Sequence, residues 1–281
     1  MNILQARKAI SEFLIEDIGT GDLSAELVFS PDKEGCGIFL AKTDGIISGT
    51  SLISLIYEVY GADVDVTLFK HDGEEVKKGE HIAHVSGSVI ALLSCERLIL
   101  NLMQRMSGIA TATHKAVTLL NDPSIRLCDT RKTLPGLRMF EKYAVRCGGG
   151  YNHRIGLYDG VMLKDNHIAF AGGIKNAVEL VRSKLGHMVK IEVETETEEQ
   201  VIEAVSANAD VIMFDNRTPD ELKHLTTLVP AHIITEASGG ISADNISSFS
   251  GTGVNYISLG SITHSAMPLD ISFNSTEGKK L

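Results

Sequence analysis

From residue 121 onward the chain repeats one unit: a short apolar run ending in polar residues, then an amphipathic stretch. The run ends are Leu127-Cys-Asp-Thr-Arg-Lys, Gly160-Val-Met-Leu-Lys-Asp-Asn-His, Lys190-Ile-Glu-Val-Glu-Thr, Asp210-Val-Ile-Met-Phe-Asp-Asn, His232-Ile-Ile-Thr-Glu-Ala-Ser-Gly-Gly and Asn255-Tyr-Ile-Ser-Leu-Gly-Ser. Helix-like segments such as 174–185 and 198–207 lie between several of them. Strands alternating with helices of this length run parallel, because each crossover returns the chain to the same end of the sheet. Six such units are too few for an eight-fold barrel, so an incomplete, TIM-like β/α barrel of about six or seven strands is expected. That fold places its site at the carboxyl ends of the strands, as does an open doubly wound sheet. The polar residues of this chain gather at those ends.

Before Ser107 the style differs. An amphipathic helix is expected over 3–15, then strands beginning at Gly35 and at Val64. Residues 71–87, with Asp-Gly and Lys-Gly turns, predict β-segments paired with each other. They resemble the hairpins of lipoyl-type modules, without a modifiable lysine at the turn tip. Residues 94–120 predict one long helix or two abutting ones, with Gly108 as the break. Leu98, Ile99, Leu102, Met103 and Met106 form its apolar face, and Arg97, Asn101, Gln104 and Arg105 a narrow polar stripe. The stripe faces solvent, a ligand pocket or a partner subunit.

With 281 residues, of which 43% are apolar, the chain is long enough for two domains or a barrel with an added module. No apolar run suits a membrane span, and the N-terminus lacks the pattern of a signal peptide, so a cytoplasmic protein is expected. Cys36, Cys95, Cys128 and Cys147 form no CxxC pair and read as reduced, isolated thiols. A net charge of −10 argues against a nucleic-acid partner. Residues 126–154 nevertheless carry seven basic side chains against Asp129 and Glu141, an island of +5 in an acidic chain. Such an island is either a solvated face or the site of a small anionic ligand.

The strand ends supply specific chemistry. Arg131, Lys132, His153, Arg154 and Lys164 can converge on one pocket. Guanidinium forks take planar carboxylates and phosphates bidentately. Ion pairs with Glu141 and Asp165 would account for one or two of these cations. Glu192 or Glu194, which share a face of one strand, and Asp215 on the next, suit Mg²⁺ or ribose hydroxyls. Salt bridges to nearby lysines are the alternative. Ser238-Gly-Gly and Leu259-Gly-Ser at the last two strand ends suit a phosphate, as late βα loops of barrels often do.

Taken in order, Glu16-Asp-Ile-Gly-Thr-Gly-Asp-Leu-Ser, Glu96-Arg-Leu-Ile-Leu-Asn, Ser107-Gly-Ile-Ala-Thr, Asp129-Thr-Arg-Lys-Thr-Leu-Pro-Gly-Leu-Arg, Glu141-Lys-Tyr-Ala-Val, Asn152-His-Arg and Lys164-Asp-Asn-His resemble the quinolinate phosphoribosyltransferase (carboxylating nicotinate-nucleotide pyrophosphorylase) family over 16–273. The resemblance implies an N-terminal open α/β sandwich, 1–106, completed by 265–281, beside a catalytic β/α barrel, 107–264. It implies a pentosyltransferase of de novo NAD biosynthesis that joins quinolinate to phosphoribosyl pyrophosphate, releasing pyrophosphate and CO₂ to give nicotinate mononucleotide. It further implies a homodimer, or a higher oligomer, in which Arg97 reaches the neighbouring site. Quinolinate would be held by Arg97, Arg131, Arg154 and Lys164 with Thr130 and His153, and Lys132 would touch both substrates. Glu194, preferred by the family over Glu192, and Asp215 would hold the ribose hydroxyls and Mg²⁺. Ser238, Gly239 and Gly240 with Leu259, Gly260 and Ser261 would bind the 5′-phosphate. Lys132, Lys164, Glu194 and Asp215 are thus the expected catalytic set.

Three other readings compete. A relative with an altered substrate is disfavoured by the intact Lys164-Asp-Asn-His. A Schiff-base aldolase using Lys132 or Lys164 would want an amine of depressed pKa in an apolar setting. A carrier or binding module, suggested by residues 71–87, would leave the strand-end charges without a purpose.

Overall fold

The computed structural model describes residues 1–276. The chain opens with helix α1 (Ile3–Ile18), whose first turn is capped by Asn2 Oδ1 accepting from the N–H groups of Leu4 and Gln5. Helix α2 (Leu23–Val28) is capped in the same way by Asp22. Then follow β1 (Glu34–Ala41), β2 (Gly45–Ile46), α3 (Ser51–Tyr60), β3 (Val64–Leu68), β4 (Glu75–Val76), β5 (His81–Ser88) and the 32-residue helix α4 (Val89–Leu120). Alternation resumes with β6 (Arg126–Cys128), α5 (Arg138–Cys147), β7 (Val161–Leu163), α6 (Asp165–Ala171), α7 (Ile174–Arg182), β8 (Ile191–Thr195) and α8 (Glu198–Ser206). It ends with β9 (Val211–Asp215), α9 (Pro219–Leu225), β10 (Ile234–Ser238), β11 (Tyr256–Ser258), α10 (Ser261–His264) and β12 (Ile271–Ser275).

Two compact units result. The first comprises Met1–His114, Leu134–Gly149 and the described residues from Ser265 on. Its antiparallel sheet runs β12-β1-β5-β3. Strand β12 pairs along β1 from Gly37↔Ser275 to Ala41↔Ile271, so Ile271–Ser275 is a strand of the N-terminal sheet. Residues 277–281 of the expected completing segment lie outside the described residues. Helices α1 and α3 bury Ala6, Ile10, Leu14, Leu52, Ile53, Ile56 and Tyr57, the apolar positions that helical spacing brings to one side.

Three sequence expectations are corrected in this unit. The segments within 71–87 do not pair with each other: β4 pairs with β2, whereas β5 lies between β1 and β3. The Lys-Gly turn sends its Gly79 N–H to Ala41 O, so it joins two sheets and closes no hairpin. Gly108 does not break α4 either. A Cβ there would lie 2.1 Å from the Met267 carbonyl oxygen, so glycine permits a close backbone approach at a helix-propensity cost of about 1 kcal/mol. Residues 134–149, expected within the barrel, cluster with this first unit. Phe140 is buried there, and the fully buried Glu141 pairs with Arg105 at 2.9 Å.

The second unit, Lys115–Thr133 and Gly150–His264, holds six parallel strands in the order β6-β11-β10-β9-β8-β7. The sheet curls. Tyr151 bridges to Cys128 on β6, yet His153 two residues later reaches Glu236 on β10 and Glu192 on β8. In a flat sheet those strands would stand far apart, at about 4.8 Å per strand. Among the described residues no ladder closes β6 to β7, so this is the incomplete barrel expected from the repeats. Thr197 and Thr218 form capping boxes with Gln200 and Glu221, which start α8 and α9 directly after their strands.

Candidate active site

A cavity of about 610 Å³ opens at the carboxyl ends of these strands. Thr130, Arg131 and Lys132 enter it from the loop after β6. Lys132 N–H donates to Thr130 Oγ1 at 3.0 Å, and Thr263 Oγ1 on α10 donates to Lys132 O at 2.8 Å, so the loop is pinned at both ends. Lys164 follows β7, where its N–H donates to His167 Nδ1 at the start of α6. Glu194 lies near the end of β8 and pairs with Lys164. Asp215 ends β9, and its Oδ2 accepts from Asn216 Nδ2 at 2.6 Å.

Asn216 has a left-handed backbone, φ 53°, and sends its N–H to Ser238 O. Ser238 ends β10 and accepts a hydroxyl bond from Ser258 at 3.0 Å. Gly239 and Gly240 follow with φ of 81° and 66°. A Cβ on Gly239 would meet Asn216 Oδ1 at 2.4 Å and Asp215 Oδ1 at 2.8 Å, so both backbone angle and space require glycine there.

Eleven residues singled out from the sequence thus line one cavity: Thr130, Arg131, Lys132, His153, Arg154, Lys164, Glu194, Asp215, Ser238, Gly239 and Gly240. Met162, Met213, Asn216 and Ser258 line it too and were not singled out. Asn216 had a signal, an amide directly after a strand-end aspartate. The methionines had none beyond being apolar in a strand. Leu259, Gly260 and Ser261 are not in the lining, and Leu259 N–H is committed to Cys128 O at 2.9 Å. Arg97 is an exposed residue of α4 in the first unit and is not in the lining. Of the basic island, Arg131, Lys132 and Arg154 face the cavity. Arg126 instead packs on the rings of Tyr151 and Tyr256, and Lys142 is buried in the first unit.

Four cationic side chains therefore surround the cavity against two carboxylates. Burial, and next the Arg131 guanidinium, holds Arg154 below the usual arginine range. Like charges sharing a partly desolvated space are unfavourable unless an anion joins them. Arg154 is aimed by two contacts, Nη1 to Gly160 O at 2.9 Å and Nη2 to Met162 Sδ at 3.7 Å. The chemistry available is capture of a polyanion with planar carboxylate or phosphate groups. Glu194 and Asp215 each spend one carboxylate oxygen within the protein, on Lys164 and Asn216, and leave the other for the cavity. Two such oxygens suit a hard divalent cation that takes its remaining ligands from phosphate and water.

His153 lines the cavity and is also held from within the protein. Its Nδ1 accepts the Arg154 N–H at 2.8 Å and its Nε2 stands 3.0 Å from Glu192 Oε2, so both ring nitrogens are engaged within the protein. Glu192 lies deeper in the barrel than Glu194 and is nearly fully buried. Alternation along β8 puts both on one face, and depth separates them.

Comparison with known proteins agrees with this geometry. The family domain "Quinolinate phosphoribosyl transferase, C-terminal domain" matches residues 109–274, and the corresponding N-terminal domain matches 22–107. A Bacillus subtilis protein named probable nicotinate-nucleotide pyrophosphorylase [carboxylating] is 55% identical over 98% of this chain and 95% of its own. An Arabidopsis thaliana protein named nicotinate-nucleotide pyrophosphorylase [carboxylating], chloroplastic, is 41% identical over 92% of this chain and 79% of its own. The solved NadC structure from Streptococcus pyogenes superposes with a TM-score of 0.94 at 38% identity, covering 98% and 97% of the two chains.

Proposed function

The chain belongs to the quinolinate phosphoribosyl transferase family, and from that premise we infer that it transfers a phosphoribosyl group from phosphoribosyl pyrophosphate to quinolinate with loss of CO₂. The products are nicotinate mononucleotide and pyrophosphate, as in NAD biosynthesis. The observation that carries this reading is the gathering of Arg131, Lys132, Arg154 and Lys164 around one cavity that also presents Glu194, Asp215 and a glycine-rich strand end.

In this reading Arg131, Arg154 and Lys164 take the two carboxylates of quinolinate, with Thr130 beside them. Arg97 of a second copy completes that subsite, in a homodimer. Lys132 lies between quinolinate and the phosphoribosyl donor. Glu194 and Asp215 take the ribose hydroxyls and hold Mg²⁺. Ser238, Gly239 and Gly240 with Gly260 and Ser261 take the 5′-phosphate, whereas the Leu259 N–H is already used. Bound Mg²⁺ would neutralise part of the pyrophosphate charge.

The chain's own contribution is placement and electrostatics. The C1′–O bond to pyrophosphate breaks with its electron pair leaving on oxygen, and the pyridine nitrogen forms the new bond to C1′. Lys132 and Lys164 stand ready to stabilise charge that develops on the departing group. The positive charge of the resulting pyridinium stabilises the electron pair left on C2 when its carboxylate departs as CO₂, and a proton taken up from solvent at C2 completes the product. No covalent nucleophile is needed. Holding two highly anionic substrates side by side is the larger task, and four cations make it electrostatically feasible.

Action in the cytoplasm belongs to the same proposal. The test is turnover of quinolinate labelled at the C2 carboxylate, with phosphoribosyl pyrophosphate and Mg²⁺. Labelled CO₂ released in step with nicotinate mononucleotide supports the assignment, and folded protein that forms neither overturns it.

A further inference from the structure

Beneath the cavity, inside the barrel, His153, Glu192 and Glu236 bring three ligating atoms within 4.8 Å of one another. Glu192 and Glu236 are 6% and 4% exposed, and one oxygen of each has no hydrogen-bond partner among the described residues. Burying two carboxylates costs several kcal/mol unless they do something, so the cluster needs a physical account.

A metal ion is the first idea that such a grouping raises, and the tautomer of His153 argues against it. The Arg154 N–H points at Nδ1 from 2.8 Å, so Nδ1 carries a lone pair and the ring proton sits on Nε2. A metal at Nε2 would need that proton removed as well, leaving an imidazolate. Instead Nε2 stands 3.0 Å from Glu192 Oε2, while Glu236 Oε1 is farther off, at 3.7 Å. Burial, and next the neighbouring Glu192 carboxylate, pushes the Glu236 carboxyl up.

The chain of contacts runs from a rigid anchor to the cavity. Glu192 sits on β8, a strand laddered on both sides by β7 and β9. Its carboxylate fixes the imidazole, and the imidazole fixes the main chain at Arg154. Asp129 holds the preceding residues, Oδ1 accepting from His153 N–H at 2.9 Å and Oδ2 from Asn152 Nδ2 at 2.7 Å. Arg154 then places its guanidinium in the cavity against Gly160 O. Bidentate recognition of a carboxylate tolerates little angular error, so whatever sets the Arg154 backbone sets the strength of that bond.

We propose that Glu192 is a positioning residue of the transfer reaction: acting through His153, it fixes the Arg154 main chain so that the guanidinium meets a quinolinate carboxylate. This rests on the assignment of Arg154 to quinolinate.

The experiment measures KM for quinolinate and for phosphoribosyl pyrophosphate, separately, in Glu192→Ala, Glu192→Gln, His153→Phe and Arg154→Ala, each checked for folding by circular dichroism. Glu192→Ala should raise the quinolinate KM on the order of tenfold, the loss of one charge-assisted hydrogen bond, with the donor KM within about twofold of wild type. Glu192→Gln keeps an acceptor for Nε2–H and should recover most of the difference. His153→Phe fills the same space without ring nitrogens and should repeat the quinolinate-specific defect, which preserves the test should Glu192→Ala not fold. The inference is overturned if the two KM values move together, if quinolinate KM stays at the wild-type value, or if Gln is as defective as Ala. An unchanged quinolinate KM in Arg154→Ala would instead strike the substrate assignment itself.

Discussion

Glu236 offers a stability test that needs no substrate. It lies on β10 in the barrel interior, 4% exposed. Burial, then the Glu192 carboxylate, raises its pKa from 4.5 to about 7, with His153 and the Ser258 hydroxyl pulling the other way. A carboxyl with a raised folded-state value binds its proton more tightly when folded. Its contribution to stability is therefore fully present below about 4.5 and is lost as pH rises through about 7. Integrated between those limits, the linkage relation gives about 3 kcal/mol. Glu236→Gln keeps the size and polarity but cannot ionise. Equilibrium urea unfolding of both proteins at pH 5, 6, 7 and 8 reads the effect. The wild-type protein should lose about 2 to 3 kcal/mol more than the variant between pH 5 and pH 8. Parallel stability curves would refute the reasoning, and so would a wild-type protein that gains on the variant as pH rises.

Arg131→Ala should weaken quinolinate binding, measured by calorimetry, on the order of 10- to 100-fold, because a carboxylate loses a charged bidentate partner; near-normal affinity would remove Arg131 from the site. Asp215→Asn should weaken Mg²⁺-dependent binding of phosphoribosyl pyrophosphate more than binding of quinolinate, and the reverse order would mean that the two subsites are exchanged. Arg97→Ala and Lys164→Ala should each be inactive alone. Mixed together with subunit exchange demonstrated, they should regain part of the activity if Arg97 serves a neighbouring site. Failure to complement would argue against a shared site.

The barrel was legible because each of its strands announces itself twice, by an apolar run and by the polar residues that close it. Arg131, Lys164, Asp215 and one of Glu192 and Glu194 could be grouped from sequence because the carboxyl ends of parallel strands must share one mouth. What escaped sequence depended on depth and on distant neighbours. Alternation puts Glu192 and Glu194 on one face, but only the curl of the sheet sends Glu192 down to His153 while Glu194 meets Lys164. Glu236 is an acid in an apolar strand, and an interior charge of that kind is the signal for a buried polar cluster. Gly108 was misjudged because a glycine within a helical pattern marks a break or a close approach, and the carbonyl of Met267 that decides the matter lies 159 residues further along. Strands β4 and β5 follow turn chemistry suited to a hairpin, yet longer-range partners, β2 for one and β1 and β3 for the other, claim their edges.

The crystal structure of the protein with quinolinate bound bears most directly on the whole account. The two carboxylates should lie within hydrogen-bond distance of Arg131, Arg154 and Lys164, with the ring nitrogen directed toward the space between Asp215 and Gly239. Quinolinate found elsewhere, or those three side chains turned away from it into solvent, would contradict the account.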